Sequence, residues 1–215
     1  MIEPADVTQT RAAYDLVAED YADVLRDQLS GEPYDRAMLG VFAEQIARAG
    51  GGLVGDLGCG PGRIAGYLAG LGMDVSGIDL SPRMVEVARR DHPAIPFAVA
   101  SMAALPFEDA ALAGALAWYS IIHTPDERHG ELFAEFARVV RPGGIVLLAF
   151  QVGDDVVHVT HAYGHDLDAY ARRQNPARVR ALLVEAGFTP SAELVRAPVA
   201  PENVPQGYIM ARRDG

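Results

Sequence analysis

Residues 54–63, Val-Gly-Asp-Leu-Gly-Cys-Gly-Pro-Gly-Arg, set three alternating glycines behind a short apolar run, and Val75-Ser76-Gly77-Ile78-Asp79 ends a second apolar run in a carboxylate. A glycine turn between strand and helix lets the backbone approach a ligand closely, because no Cβ intervenes, and the following helix offers free N–H groups. A second strand about twenty residues on, finishing in an acidic residue, brings that carboxylate to the same sheet edge as the turn. The two segments read as half of a nucleoside-binding site in a parallel sheet.

The rest of the chain continues the alternation. Residues 8–29 carry Tyr14, Val17, Tyr21, Val24 or Leu25, and Leu29 at helical spacing, and a second helix is expected over 34–49, ended by Gly50-Gly51-Gly52. Together they predict a helical cap over 1–50. Strands are then expected over 53–57, 74–79, 97–100, 111–119 and 145–150, the last an unbroken apolar run of the kind buried on both faces. Between them fall a helix over 61–69 and one opened by Ser81-Pro82, where the serine oxygen accepts an orphan amide proton and proline has none to lose. Thr124-Pro125-Asp126-Glu127 has capping-box spacing and predicts a helix whose Leu132, Phe133, Phe136 and Val140 face the sheet, ended at Arg141-Pro142-Gly143-Gly144. Residues 151–174 are polar, hold His158, His161 and His165, and exceed a plain connection, so they are expected to form a lid or acceptor-side insertion. Asn175-Pro176 caps a helix closed at Gly187, and 188–196 with 207–212 form a final antiparallel pair. The expected fold is α/β and Rossmann-like: a seven-stranded, mostly parallel sheet with an antiparallel last strand, helices on both faces and the N-terminal helical cap.

Length and charge narrow the partners. At 215 residues the chain fits one domain, 1–215, within the roughly 100 to 200 residues typical of a domain. A formal charge of −11 repels phosphate backbones and anionic headgroups, which argues against a nucleic-acid or membrane partner. The N-terminal residues lack a basic and apolar leader pattern, no run is long enough to span a bilayer, and the single cysteine, Cys59, forms no intrachain disulfide; a cytoplasmic protein is expected.

The glycine phase separates two cofactor classes. A dinucleotide turn wants G-x-G-x-x-G, and from Gly58 the sixth position is Arg63; a pyrophosphate is also repelled by Asp56. A cationic ligand is not. Val54 to Arg63 resembles motif I of the class I S-adenosylmethionine-dependent methyltransferases, and Val75 to Asp79 resembles their motif II. Arg138 to Gly144 is similar to the helix-turn before strand five in the ubiquinone/menaquinone-type small-molecule branch, and Phe97 to Phe107 to the third strand and its turn.

The resemblance implies a cofactor, S-adenosylmethionine, leaving as S-adenosylhomocysteine, and a set of residues that hold it. Asp79 takes the ribose hydroxyls, as a carboxylate with paired acceptors suits. Gly58, Cys59 and Gly60 pass beside the methionine part, with Asp56 near its ammonium, and Leu80 and Met84 flank the adenine. Ser101 and Met102 stand where the family usually has an acidic residue reading the adenine amino group, a departure that leaves this contact open.

Candidates for the chemistry lie at the exit of strand four, where Trp118-Tyr119-Ser120-Ile121-Ile122-His123 reaches the carboxyl edge. His123 is the first base candidate, with a hydrogen bond to cofactor or loop as its competing role. Tyr119 is both a cofactor contact and a further base candidate. Tyr14 and Tyr21, seven apart on one helical face, either close the site or are core aromatics. Arg63 either reaches the cofactor carboxylate or is solvated. The three histidines of 151–174 suggest a metal, but on a strand His158 and His161 face opposite ways, so no metal site is expected; His161 or Tyr163 is instead an alternative base. The expected reaction is methyl transfer to a small-molecule acceptor, preferably an oxygen. The competing classes are an NAD(P)-dependent oxidoreductase on a similar fold and a cofactor-binding, non-catalytic homologue.

Overall fold

The computed structural model describes residues 4–215. The N-terminal cap comprises α1 (Ala5–Leu25), the short α2 (Gln28–Gly31) and α3 (Pro33–Arg48). The alternating body follows: β1 (Val54–Leu57), α4 (Arg63–Gly70), β2 (Val75–Asp79), α5 (Pro82–Asp91), β3 (Phe97–Val99), β4 (Leu112–Trp118), α6 (His129–Val139) and β5 (Val140–Gln151). Next come β6 (Val156–Ala162), β7 (His165–Arg172), α7 (Pro176–Glu185), β8 (Phe188–Arg196) and β9 (Gln206–Arg213).

Seven strands form one sheet in the order β3-β2-β1-β4-β5-β9-β8. β9 alone runs against both its neighbours, as the final pair at 188–212 led one to expect. Side chains alternate across the sheet. Ile145, Leu147 and Ala149 of β5 pack with α3, α4 and α5 on one face, and Val146, Leu148 and Phe150 pack with α6 and α7 on the other. The apolar run 145–150 is therefore buried from both sides.

Residues quoted for their motif value also fasten the connections. The Arg138 guanidinium donates to the carbonyls of Leu105 and Phe107, and Glu135 accepts from the Leu105 amide, tying the turn after β3 to α6. Arg141 donates to Ala49 and Gly51, anchoring the end of the cap beside β5.

Two expectations are corrected. The helix expected over 8–29 breaks at Arg26-Asp27, so Leu29 is buried from α2, while Val24 points to solvent; the buried seam of α1 runs through Val17, Ala18 and Ala22. The capping box at Thr124 does not form: a 3₁₀ turn over Asp126–Arg128 comes first, and α6 opens at His129 without a side-chain cap. Residues 151–174, expected as an insertion, carry an antiparallel hairpin, β6 with β7, apart from the main sheet. The two other caps do form. Ser81 Oγ accepts from the Met84 amide, and Asn175 Oδ1 accepts from the amides of Ala177 and Arg178 at 3.0 and 3.4 Å.

Replacing Asn175 by Ala strips α7 of both acceptor contacts and should lower unfolding stability by about 1 kcal/mol. A denaturation midpoint shifted down at unchanged slope is the expected result; no shift would mean that water caps this helix equally well.

Candidate active site

The carboxyl ends of β1 and β2 are locked together by one side chain. Asp79 Oδ2 accepts the Gly60 amide at 2.8 Å and Oδ1 accepts the Ser81 amide at 2.8 Å, so a single carboxylate fixes the turns that open α4 and α5. Burial raises its pKa, and the amides of Ser81, Gly60 and Leu80 pull it back. A carboxylate has about four lone-pair positions, so two amides leave acceptor capacity for a ligand. Gly58 belongs where it is for two reasons: its φ is +78°, and a Cβ there would lie 2.4 Å from that of Ser120.

The amides of the glycine turn are spent internally. Those of Gly58 and Cys59 donate to the Ile78 carbonyl, that of Gly60 to Asp79 and that of Gly62 to the Cys59 carbonyl, while Pro61 has none. A pyrophosphate needs such donors. Within the turn itself the backbone therefore offers shape rather than N–H groups.

Beside the turn lies a chamber of about 310 Å³, its opening included, lined by Tyr21, Asp56, Cys59, Arg63 and Trp118 among others. Asp56 opposes Leu116 across the β1–β4 ladder, so Trp118, two residues further on, shares its face of the sheet. Asp56 is 1% exposed, and among the described residues neither of its oxygens has a hydrogen-bond partner; Arg63 Nη1 and Trp118 Nε1 are likewise buried and unpartnered. Burial pushes Asp56 up to about 7, the amide of Ala65 polarising it without completing a hydrogen bond and Asp79 adding repulsion. A buried carboxylate beside two unused donors is costly unless a ligand completes it. The complement of one acceptor group and two donors fits the ammonium and carboxylate of an amino acid.

A larger cleft, about 840 Å³ with its mouth, opens on the other side of Gly58 and Gly60. α1 roofs it. Arg128 Nη1 binds both oxygens of Asp6 at 3.1 and 2.9 Å, Arg11 Nε donates to the Leu80 carbonyl, and Asp15 accepts from Ser81 Oγ and the Arg83 amide, clasping the helix over the sheet edge. Below the roof, the Tyr14 hydroxyl lies 2.7 Å from His123 Nε2, and His123 Nδ1 lies 3.0 Å from the Tyr170 carbonyl of β7. A carbonyl only accepts, so Nδ1 carries the proton and Nε2 receives the Tyr14 O–H. Burial lowers the His123 pKa, with Arg172 acting in the same direction, and burial raises that of Tyr14.

Most of the residues proposed from sequence converge here. Tyr14, Tyr21, Gly58, Gly60, Asp79, Leu80, Ser101, Met102, Tyr119 and His123 line the larger cleft, and Asp56, Cys59 and Arg63 line the smaller chamber. Tyr119 sits at φ +55°, a strained position for a large side chain. Two are placed elsewhere. Met84 is fully buried between α1 and α5 and touches neither cavity, because its place on α5 faces the helix seam rather than the cleft. His161 is on the exposed side of the hairpin, 2.8 Å from Asp166. His158 pairs with Asp168 and His165 with Asp20, each histidine thus having its own aspartate, and no metal-binding cluster occurs among the described residues. Tyr163 is taken up by packing against Tyr21. Trp118 was not singled out, since a tryptophan ending an apolar strand looks like core, and neither was the Asp6–Arg128 clasp, which joins residues distant in sequence.

Residues 54–144 match the family described as a methyltransferase domain. An O-methyltransferase of Penicillium expansum is 36% identical over 143 residues, covering 63% of this chain and 48% of that protein. Malonyl-[acyl-carrier protein] O-methyltransferase of Enterobacter lignolyticus is 28% identical over 160 residues, covering 74% of this chain and 60% of that protein. The chain thus spans only about half the length of the first of these relatives. Magnesium protoporphyrin IX methyltransferase of Synechocystis PCC 6803, solved with S-adenosylmethionine bound, matches over 100% of both chains with a TM-score of 0.74 at 19% identity, a likeness of fold. No helix among the described residues is long and apolar enough to cross a membrane.

The raised Asp56 pKa has a stability consequence. Between the ordinary value of 3.8 and about 7 the folded state holds a proton that the unfolded state does not. Stability conferred by that proton is full below 3.8 and is lost as pH rises towards 7, with a slope of up to about 1.4 kcal/mol per pH unit. Chemical denaturation across that window should give a shallower fall for Asp56→Asn than for the wild type; identical slopes would show that Asp56 titrates normally.

Proposed function

We propose that this protein transfers the methyl group of S-adenosylmethionine to a small-molecule acceptor, preferentially at oxygen, as one domain over 1–215 with α1–α3 as its cap and the β6–β7 hairpin as its lid. The cofactor reading rests on the unpartnered Asp56 carboxylate and Arg63 Nη1, with Asp79 at the neighbouring strand end and no free amide in the glycine turn for a pyrophosphate. In this reading Asp56 holds the ammonium, Arg63 the carboxylate and Asp79 the ribose hydroxyls, while Leu80, Ser101 and Met102 surround the base. The Arg138–Gly144 motif supports placement in the ubiquinone/menaquinone-type branch. The O-methyltransferase names of the two sequence relatives support oxygen as acceptor atom.

When bound, the cofactor supplies an activated methyl group on a sulfonium. What remains for the chain is to orient an acceptor, keep water out and take up a proton. α1 excludes water through the Asp6–Arg128 clasp and the packed rings of Tyr14, Tyr21 and Tyr163, edge-on and tilted to one another. His123, neutral and with Nδ1–H fixed on the Tyr170 carbonyl, accepts at Nε2. Since Tyr14 already donates to that atom, an acceptor hydroxyl gives its proton to the Tyr14 oxygen as the Tyr14 proton passes to Nε2. Tyr119 is assigned to the wall of the acceptor space and His161 is not assigned a part.

Titration with S-adenosylhomocysteine against NADH tests the cofactor: binding of the first alone is expected, and tight NADH binding would sink the reading. Asp79→Ala should weaken S-adenosylhomocysteine at least about tenfold; unaltered affinity would remove the ribose role. With radiolabelled methyl donor and a panel of hydroxyl and carboxyl acceptors, Tyr14→Phe and His123→Ala should depress kcat while shifting cofactor affinity little. Turnover should also fall as pH drops through a value below the ordinary 6.5 of histidine, because only neutral His123 accepts a proton. Undiminished turnover in both variants would exclude the dyad.

A further inference from the structure

Accepting the cofactor reading leaves one donor in the smaller chamber without a task. Its fixed polar atoms include one acceptor group, the Asp56 carboxylate, and two buried donors, Arg63 Nη1 and Trp118 Nε1, all three unpartnered. An ammonium satisfies the acceptor. A carboxylate offers about four lone-pair positions on two oxygens, so pairing with Arg63 Nη1 leaves acceptor capacity on it for a second buried donor.

We propose that Trp118 reads the second oxygen of the cofactor's α-carboxylate, its indole N–H and the Arg63 guanidinium together forming the carboxylate subsite. Trp118 is 6% exposed and lines both the chamber and the larger cleft. A buried indole N–H normally has a partner, because an unsatisfied buried donor keeps its full desolvation penalty. The ring is held for the task. It lies 5.7 Å from the Tyr208 ring and 6.0 Å from that of Tyr119, and the Tyr208 hydroxyl is itself fixed on the buried Asp35 carboxylate of α3 and by Arg196 Nε. A donor whose rotamer is set before the ligand arrives loses little entropy on binding it. Strand β4 explains the position: Asp56 and Trp118 share a face of the sheet, so the groups for the two ends of an amino acid come from neighbouring strands.

Trp118 is the only tryptophan of the chain, so its indole gives a single N–H resonance in the nitrogen-15 spectrum of the unmodified protein. That resonance should move downfield on addition of S-adenosylhomocysteine and stay in place on addition of 5′-methylthioadenosine, which has the same nucleoside and no amino-acid part. In parallel, Trp118→Phe should lose about tenfold in affinity for S-adenosylhomocysteine and none for 5′-methylthioadenosine. If both ligands weaken equally in the variant, or if the indole resonance ignores S-adenosylhomocysteine, the inference is overturned while the cofactor reading stands. If the unmodified protein binds no S-adenosylhomocysteine, both fall.

Discussion

The grip of Asp79 on two backbone amides is the interaction on which the site depends. One carboxylate at the end of β2 holds the Gly60 amide of the turn into α4 and the Ser81 amide of the turn into α5. The relative placement of both helix openings, and of the two cavities that meet at Gly58 and Gly60, follows from it. Ser81 extends the lock outwards: its hydroxyl caps α5 and donates to Asp15, so the roof helix is tied to the same corner. A charge-assisted contact of this kind is short and directional, which is why a loop rich in glycine can still have one conformation.

Against this ordered corner stands a set of groups that the fold leaves unpaired. The Asp56 carboxylate, Arg63 Nη1 and Trp118 Nε1 are buried and have no partner among the described residues. Cost and use coincide, because an opposite charge beside a buried carboxylate favours the ionised form that desolvation disfavours. The second polar cluster, Asp35 with Tyr208, Arg196 and Glu202, differs in being closed on itself; burial pushes Tyr208 up to about 12, and its hydrogen bonds hold α3 against β9. One cluster waits for a partner, and the other supports the aromatic wall behind it.

The β1–α4–β2 unit was legible because its chemistry is local. Strand, glycine turn and terminal carboxylate lie within 26 residues, and periodicity located β3, β4, β8 and β9 to within a residue or two, whereas β5 starts at Val140, five residues before the expected run and at a residue expected on the preceding helix. The caps at Ser81 and Asn175 were legible for the same reason, each needing only its next three residues. Thr124 was misleading. Its spacing suits a capping box, but Pro125 directs the chain into a 3₁₀ turn, and Arg128 is drawn to Asp6, 122 residues away. The pairing of the hairpin at 156–172 was less legible, since its polar, largely exposed strands mark an insertion without the apolar pattern that sets a register.

By itself, then, the sequence determined the class of fold, the strand ends that carry the site and the preference for a cationic amino-acid ligand over a pyrophosphate, because each is written in residues close together along the chain. Tertiary structure alone decided that Tyr14 engages His123 across 109 residues, that Met84 turns into the α1–α5 seam, that His161 faces solvent and that Trp118 borders both cavities. The physical reason is that the direction of a side chain depends on what packs against its element from elsewhere. Spacing within one helix or strand does not contain that information.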